Sequence, residues 1–309
     1  MVDLSVELAS LALRNPILSA SGTFGHGLEM EHFSSPGSMG GLVSKTVTLR
    51  PRPGNPAPRI HETEVGFLNS IGLENHGIEA YLREVLPRVA DADTCIFTNI
   101  GGEAEQEFAE LAGMLDEREE VDALEINLSC PNVGGGRLPY STDPALAERV
   151  VRGVREATTK PIFAKLSPNV TRIGDIARGV EAGGADGLTA VNTLLGMAVD
   201  WRSRRPRVAT VQGGYSGTGI KPVALRCAWE CARAVSIPVI GCGGVGDAQD
   251  VLEFLVVGCS AVQVGTAAFA DPALPGVLAE RVATLLDAEG IASVRELIGA
   301  LEDGREETS

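Results

Sequence analysis

Residues 237–267 read IPVIGCGGVGDAQDVLEFLVVGCSAVQVGTA. A short aliphatic run, 237–241, meets a glycine-rich turn. An amphipathic stretch, 247–257, follows, and a second aliphatic run, 261–265, meets a second turn at Gly265–Thr266. Strand, turn, helix, strand, turn is the unit of a parallel sheet. Glycine turns leave backbone N–H groups open, and a helix N-terminus behind them favours an anion. Gly241, Gly243 and Gly246 also satisfy G-x-G-x-x-G, the dinucleotide fingerprint. That fingerprint requires an acid about 20 residues further on, at the end of the next strand. Gly265–Thr266, a second phosphate-type turn, stands there instead. Two such turns in succession are the arrangement after strands 7 and 8 of a (β/α)8 barrel.

Working outward, further aliphatic runs at 16–20, 41–45, 94–99, 122–127, 161–165 and 186–191 complete a set of eight candidate strands. Helical patterns separate most of them. In 76–90, Ile78, Leu82, Val85, Leu86 and Val89 keep helical spacing. In 143–157, Asp143 is placed to cap, Pro144 takes the first turn, and Leu146, Val150, Val151 and Val154 form a stripe. Thr171 opens a helix with Ile173, Ile176 and Val180; 222–235, 247–257 and 273–287 follow the same pattern, and 292–301 reads as a terminal helix. The expected fold is α/β: one TIM-barrel domain over 1–309, with a short hairpin in 1–14 and a flexible acidic tail at 302–309. The connections 46–75, 128–142 and 192–221 are longer than a barrel needs, and in a barrel they lie on the C-terminal face, where the chemistry gathers.

Hydrophobic residues make up 44% and aromatics 4%, so the core is aliphatic. Lys plus Arg is 26 and Asp plus Glu is 41, a net charge of −15, which disfavours nucleic acid and anionic membrane as partners. No apolar run reaches membrane-spanning length. The N-terminus, MVDLSVELAS, has no basic cluster and does not read as a signal peptide, so a cytoplasmic protein is expected. Cys95, Cys130, Cys227, Cys231, Cys242 and Cys259 form no C-x-x-C pair, and His26, His32, His61 and His76 show no metal spacing, so no metal or iron–sulfur site is expected in this chain. His61 reads as a surface residue in a Pro-rich loop, and Arg202–Arg207 as loop decoration.

The strand ends carry Ser21, Lys45, Asn99, Asn127, Lys165, Asn192, Gly243–Gly244 and Gly265–Thr266. Two lysines and three amides converging at a barrel mouth point to chemistry rather than packing. Cys130 lies in NLSCPN (127–132), held in a loop by Pro131 and flanked by polar residues. An exposed thiol in an electropositive pocket is a serviceable base, whereas a buried one is only a small hydrophobe. Asn69 and Asn75 frame a turn at Gly72; Asn69, Asn127, Asn132 and Asn192 suit a planar ligand with imide and carboxylate groups, but asparagine near glycine is also ordinary turn chemistry, and Asn75 suits helix capping. Lys45 and Lys165 are suited to stabilising a reduced cofactor, to Schiff-base chemistry, or to a structural ion pair.

These residues sit in SKT (44–46), RPGNPAPR (52–59), NSIGLEN (69–75), NLSCPN (127–132), KLSPNVT (165–171), NTLLGM (192–197), SGTGIKP (216–222), GCGGV (241–245) and VGTA (264–267). Together they resemble the class 1 dihydroorotate dehydrogenases, most closely the NAD-linked class 1B catalytic subunits. The resemblance implies one FMN per chain, touched by Ser21, Lys45, Thr46, Asn99, Asn127, Lys165, Val191, Gly217, Gly243, Gly244, Gly265 and Thr266. It implies dihydroorotate at Lys45, Asn69, Ser70, Ile71, Gly72, Leu73, Asn127, Asn132, Asn192 and Thr193, with Cys130 as the base that accompanies hydride transfer to flavin. It further implies a partner subunit carrying FAD and a [2Fe–2S] cluster, in a heterotetramer of two of each, passing electrons to NAD. A fumarate-linked class 1A enzyme, a dihydropyrimidine dehydrogenase module and a flavin-free Schiff-base aldolase are the alternatives. Leu138–Pro139–Tyr140 departs from the small, Phe-containing stretch usual in the family, and Cys242 stands where Met or Val is more common.

Overall fold

A computed structural model of the chain describes residues 2–128, 139–302 and 304. A closed parallel barrel forms its centre, from β3 (Ile17–Ser19), β4 (Gly41–Val43), β7 (Cys95–Ile100), β8 (Ala123–Asn127), β9 (Ile162–Leu166), β10 (Gly187–Ala190), β15 (Val239–Cys242) and β16 (Ala261–Val264), with β16 pairing back to β3. Every expected strand run contributes one of these strands. β8, β9, β10, β15 and β16 are buried at every position, because the barrel covers one face and the helices the other. A hairpin of β1 (Val6–Leu8) and β2 (Leu11–Leu13) precedes the barrel.

The outer helices include α3 (Glu105–Asp116), α4 (Pro144–Ala157), α5 (Ile173–Ala182), α6 (Lys221–Ala234), α7 (Ala248–Val256) and α9 (Leu274–Ala288). Asp143 caps α4, accepting from Ala145 N at 2.8 Å and Leu146 N at 3.3 Å. Its buried stripe is Ala147, Val150, Val151 and Val154, with Ala147 in place of the expected Leu146. Helix α5 opens at Ile173, two residues past Thr171. Helix α3 is absent from the expected set, although Phe108, Leu111, Ala112 and Leu115 keep helical spacing and are buried.

The stretch 76–90 is not one regular helix. α1 (Gly77–Ala80) and α2 (Leu86–Val89) flank a π-helical turn at Tyr81–Val85. Pro87 has no N–H for the preceding turn, and the wider turn absorbs the lost bond. The buried set becomes Ile78, Tyr81, Leu86 and Val89. Tyr81 Oη lies 2.9 Å from Thr98 Oγ1 of β7, and burial pushes its phenol pKa up to about 12. The expected helix at 292–301 is a correction too. A 3-10 turn spans only Val294–Leu297; Gly299 then adopts φ +74° and donates to Leu255 O at 3.0 Å, ending the coil against α7.

Two of the three long connections, 46–75 and 192–221, are not plain loops. β5 (Ile60–Thr63), β6 (Gly66–Asn69), β11 (Leu194–Met197) and β14 (Gln212–Ser216) form an antiparallel sheet, ordered β11-β14-β6-β5. Gly214 pairs with Asn69 and Ser216 with Phe67, so 46–75 and 192–221 are hydrogen-bonded to each other. His61 therefore lies on a strand, half-buried, not in a solvated loop. Arg202 and Arg204 occupy the turn of a small hairpin, β12 (Val199–Asp200) with β13 (Arg205–Pro206), where Arg202 stacks 4.6 Å over Trp201. A short helix, α8 (Ala267–Ala270), follows the last barrel strand. No helix among the described residues is long and apolar enough to cross a membrane.

Candidate active site

A cavity of about 700 Å³ opens at the C-terminal ends of the barrel strands. That is within the range for a small-ligand or cofactor site. The antiparallel sheet forms one wall through Asn69 and Ser216, and the strand ends form the floor. The predicted residues Ser21, Lys45, Thr46, Asn127, Lys165, Val191, Asn192, Thr193, Gly243, Gly244, Gly265 and Thr266 all line it, together with Asn69, Ile71, Gly72, Leu73 and Gly217. Asn99 and Ser70 do not. Asn99 is completely buried in the barrel, where its amide donates to Glu125 Oε1 at 2.6 Å. Ser70 is buried behind the wall, accepting from Asn55 at 3.0 Å and from Thr210 at 2.5 Å. Cys130 and Asn132 lie outside the described residues.

The amides form a linked row. Asn127 Nδ2 donates to Thr46 Oγ1 at 3.4 Å, and Asn192 Nδ2 donates to Asn127 Oδ1 at 3.2 Å. Asn69 Nδ2 donates to Gly214 O at 3.2 Å, fixing it to the wall. Asn169, from KLSPNVT, went unassigned in the sequence. Its Nδ2 donates to Thr193 O at 3.1 Å and its Oδ1 accepts from Leu195 N at 2.8 Å, so it aims the Asn192–Thr193 loop. Asn75 accepts from Gly77 N at 2.8 Å and also binds Thr48, serving the helix start rather than the cavity.

Burial drives the Lys45 pKa below the usual lysine value; Glu74 and Glu29 oppose that, and Arg59 adds to it. Lys165 is buried at the floor, donating to Gln263 Oε1 at 2.7 Å, and its pKa lies above the usual value. A half-desolvated lysine beside a row of amides suits an anion with hydrogen-bonding edges.

At the glycine turns, Cys242, Gly243, Gly244 and Val245 face the cavity, as do Gly265 and Thr266. The amides of Gly246 and Asp247 do not serve it; both donate to Asp250 Oδ2, at 2.7 and 3.1 Å. Gly244 has φ +83°, and a Cβ there would lie 2.6 Å from Lys221 Cβ. The open turn thus narrows to 243–245 and 265–266. These residues fit FMN: the glycine turns leave room that a Cβ would fill and suit its phosphate, and Lys165 suits its electron-rich ring edge.

Fold and site together define a (β/α)8-barrel enzyme. A family model described as "Dihydroorotate dehydrogenase" matches residues 3–286, and the chain belongs to that family. It is 50% identical over 300 residues to a protein of Pelobacter propionicus named "Dihydroorotate dehydrogenase B (NAD(+)), catalytic subunit", covering 97% of this chain and 99% of the relative. A protein of Bacteroides thetaiotaomicron with the same name is 44% identical over 302 residues, covering 98% and 100%. Among solved structures, a dihydroorotate dehydrogenase of Eimeria tenella in complex with ferulenol superposes with a TM-score of 0.80 at 23% identity, covering 98% of this chain and 89% of that one. That likeness bears on the fold alone.

Proposed function

We propose that this chain oxidises (S)-dihydroorotate to orotate in pyrimidine biosynthesis, as the FMN-binding catalytic subunit of an NAD-linked, cytoplasmic enzyme. The observation that carries the proposal is one cavity uniting Lys45, Asn69, Asn127, Asn192, Lys165 and both glycine turns, in a chain half-identical to NAD-linked catalytic subunits along its length. FMN, when bound, supplies the hydride acceptor. Gly243, Gly244, Gly265 and Thr266 hold its phosphate. Lys45 and the amides of Asn69, Asn127, Asn132 and Asn192 orient the substrate carboxylate and imide, while Cys130 removes the C5 proton. The name "catalytic subunit" on the relatives supports a partner chain, which we assign FAD and a [2Fe–2S] cluster in a heterotetramer of two of each.

The test is purification and a visible spectrum. The protein is expected to be yellow, with about one FMN per chain, and to reduce artificial dyes with dihydroorotate but not NAD. A colourless active aldolase would overturn the proposal; rapid turnover with fumarate would move the chain to class 1A. A second expectation concerns pH. Because burial depresses the Lys45 pKa, orotate affinity falls before the ordinary lysine range near 10.4 is reached. Neutral Lys45 no longer attracts the carboxylate, so affinity drops up to tenfold per pH unit beyond that point. Lys45→Met should bind weakly and without this limb, as titration calorimetry across pH would show.

A further inference from the structure

Parallel barrels are filled by layers of branched apolar side chains, yet one layer here is polar. Asn99 on β7, Glu125 on β8, Lys165 on β9, Thr189 on β10, Cys242 on β15 and Gln263 on β16 are all buried, and Asn99, Glu125, Thr189 and Gln263 completely so. Glu125 Oε1 accepts from Asn99 Nδ2 at 2.6 Å and lies 3.7 Å from Lys165 Nζ. Its Oε2 accepts from Thr189 Oγ1 at 2.8 Å and from Gln263 Nε2 at 2.5 Å. Gln263 turns its other end to Lys165, whose Nζ donates to Oε1 at 2.7 Å. Asn99, Thr189 and Gln263 each bring a donor to the carboxylate, which is what a buried anion requires.

Stability does not account for this pair. Two charges taken from water cost several kcal/mol each in effective terms, and well-packed apolar residues of similar volume serve a core as well or better. What the pair gives is a cation fixed at a cavity wall. Lys165 lines the cavity, while Glu125 stands behind it and does not.

We propose that Glu125 is a positioning residue which, bridged by Gln263, holds the Lys165 ammonium charged and aimed at the floor of the cavity, and so sets how strongly the site favours the reduced flavin. The proposal rests on the FMN reading above. Burial acts to strip the proton from Lys165, and the Glu125 carboxylate 3.7 Å away opposes it. Of the titratable groups packed against it among the described residues, Cys242 is a thiol whose own pKa burial raises, so it is neutral and supplies no charge. That leaves Glu125; β7, β10 and β16 present Asn99, Thr189 and Gln263, which do not titrate.

The sign follows from this. In Glu125→Gln the ammonium loses its counter-charge, so burial pulls the Lys165 pKa down. With Lys165 charged, at low pH, the lone cation should raise the flavin midpoint potential above wild type. As pH rises and Lys165 loses its proton, the potential should fall through an extra one-proton step that wild type lacks. Along that step the two-electron reduction equilibrium changes tenfold per pH unit, about 30 mV. Glu125→Asp should restore a wild-type profile in part. The experiment is spectroelectrochemical titration of wild type, Glu125→Gln and Glu125→Asp as purified holoproteins across pH 6 to roughly 9, the window between an unperturbed histidine and lysine. A Glu125→Gln profile superimposable on wild type overturns the proposal. If wild type itself carries no flavin, the FMN reading fails and not the role of Glu125. Should Glu125→Gln fail to fold, Gln263→Leu cuts the bridge while leaving the carboxylate 3.7 Å from Lys165; its extra step should fall at higher pH than counter-charge removal would place it, with the low-pH potential near wild type, and a wild-type profile throughout overturns the proposal equally.

Discussion

Gly265→Asp is expected to yield a folded but colourless protein. Gly265 faces the cavity at the end of β16, and its φ is not left-handed, so a side chain is compatible with its backbone. A Cβ there would lie 3.3 Å from Ala20 Cβ and 3.6 Å from Thr23 Oγ1, a close contact that needs only a small adjustment. With the phosphate placed as proposed, a carboxylate at this point displaces and repels it. Each lost hydrogen bond to a charged group costs about 1.5–3 kcal/mol, so losing two weakens FMN binding by at least about 10². Gly265→Ala is the control and should keep FMN within a few-fold. The equivalent change at Gly244 is a poorer test. Its left-handed φ and the 2.6 Å approach to Lys221 Cβ mean that any side chain disturbs the turn, whatever its charge. The readouts are flavin absorbance after purification and circular dichroism of the same sample. A yellow Gly265→Asp protein would place the phosphate elsewhere.

The barrel was legible because its strands are buried on both faces and therefore read as short, mainly aliphatic runs, from ALEIN at β8 to AVQV at β16. The site was legible for a related reason: a parallel barrel sends every strand end to one face, so Lys45, Asn127, Lys165 and Gly265 had to meet. Three features escaped. The antiparallel wall is built on Gly213 and Gly214, residues of low strand propensity; a Cβ on Gly213 would lie 2.5 Å from Asn69 O, so glycine is required by the pairing that hides it. The π turn before Pro87 shifts burial from Leu82 and Val85 to Tyr81, and helical periodicity has no term for one extra residue. Glu125 sits in a strand whose neighbours are Leu124 and Ile126, and nothing local marks a charge whose partners lie on four other strands. Such long-range pairing is written in the closure of the barrel, not in any window of sequence.

Cys130→Ser should slow oxidation of dihydroorotate by at least about 10² while leaving FMN content and orotate affinity nearly unchanged. Cys130 itself lies outside the described residues, but Asn127, three positions before it, closes β8 in the row with Thr46 and Asn192. Hydride loss from C6 is accompanied by loss of the C5 proton, and a carbon acid does not ionise unaided at neutral pH. A positioned base is worth typically 10²–10⁴-fold, about 3–5 kcal/mol of barrier at roughly 1.4 kcal/mol per decade. Serine keeps the size of the side chain but replaces a thiol of pKa about 8.5 with a far weaker acid. The described histidines give it no help: His26 stacks on Tyr81, and none lines the cavity. The amides and Lys45, to which we assign the substrate contacts, are untouched by the change. The surviving rate should therefore keep climbing with pH where wild type levels off, since the hydroxyl ionises only at higher pH. Stopped-flow absorbance of the bound flavin with dihydroorotate, followed across pH, separates this from a packing defect, which would lower the rate by the same factor at every pH. A serine variant within a few-fold of wild type at neutral pH would remove Cys130 from the role and turn attention to Ser129.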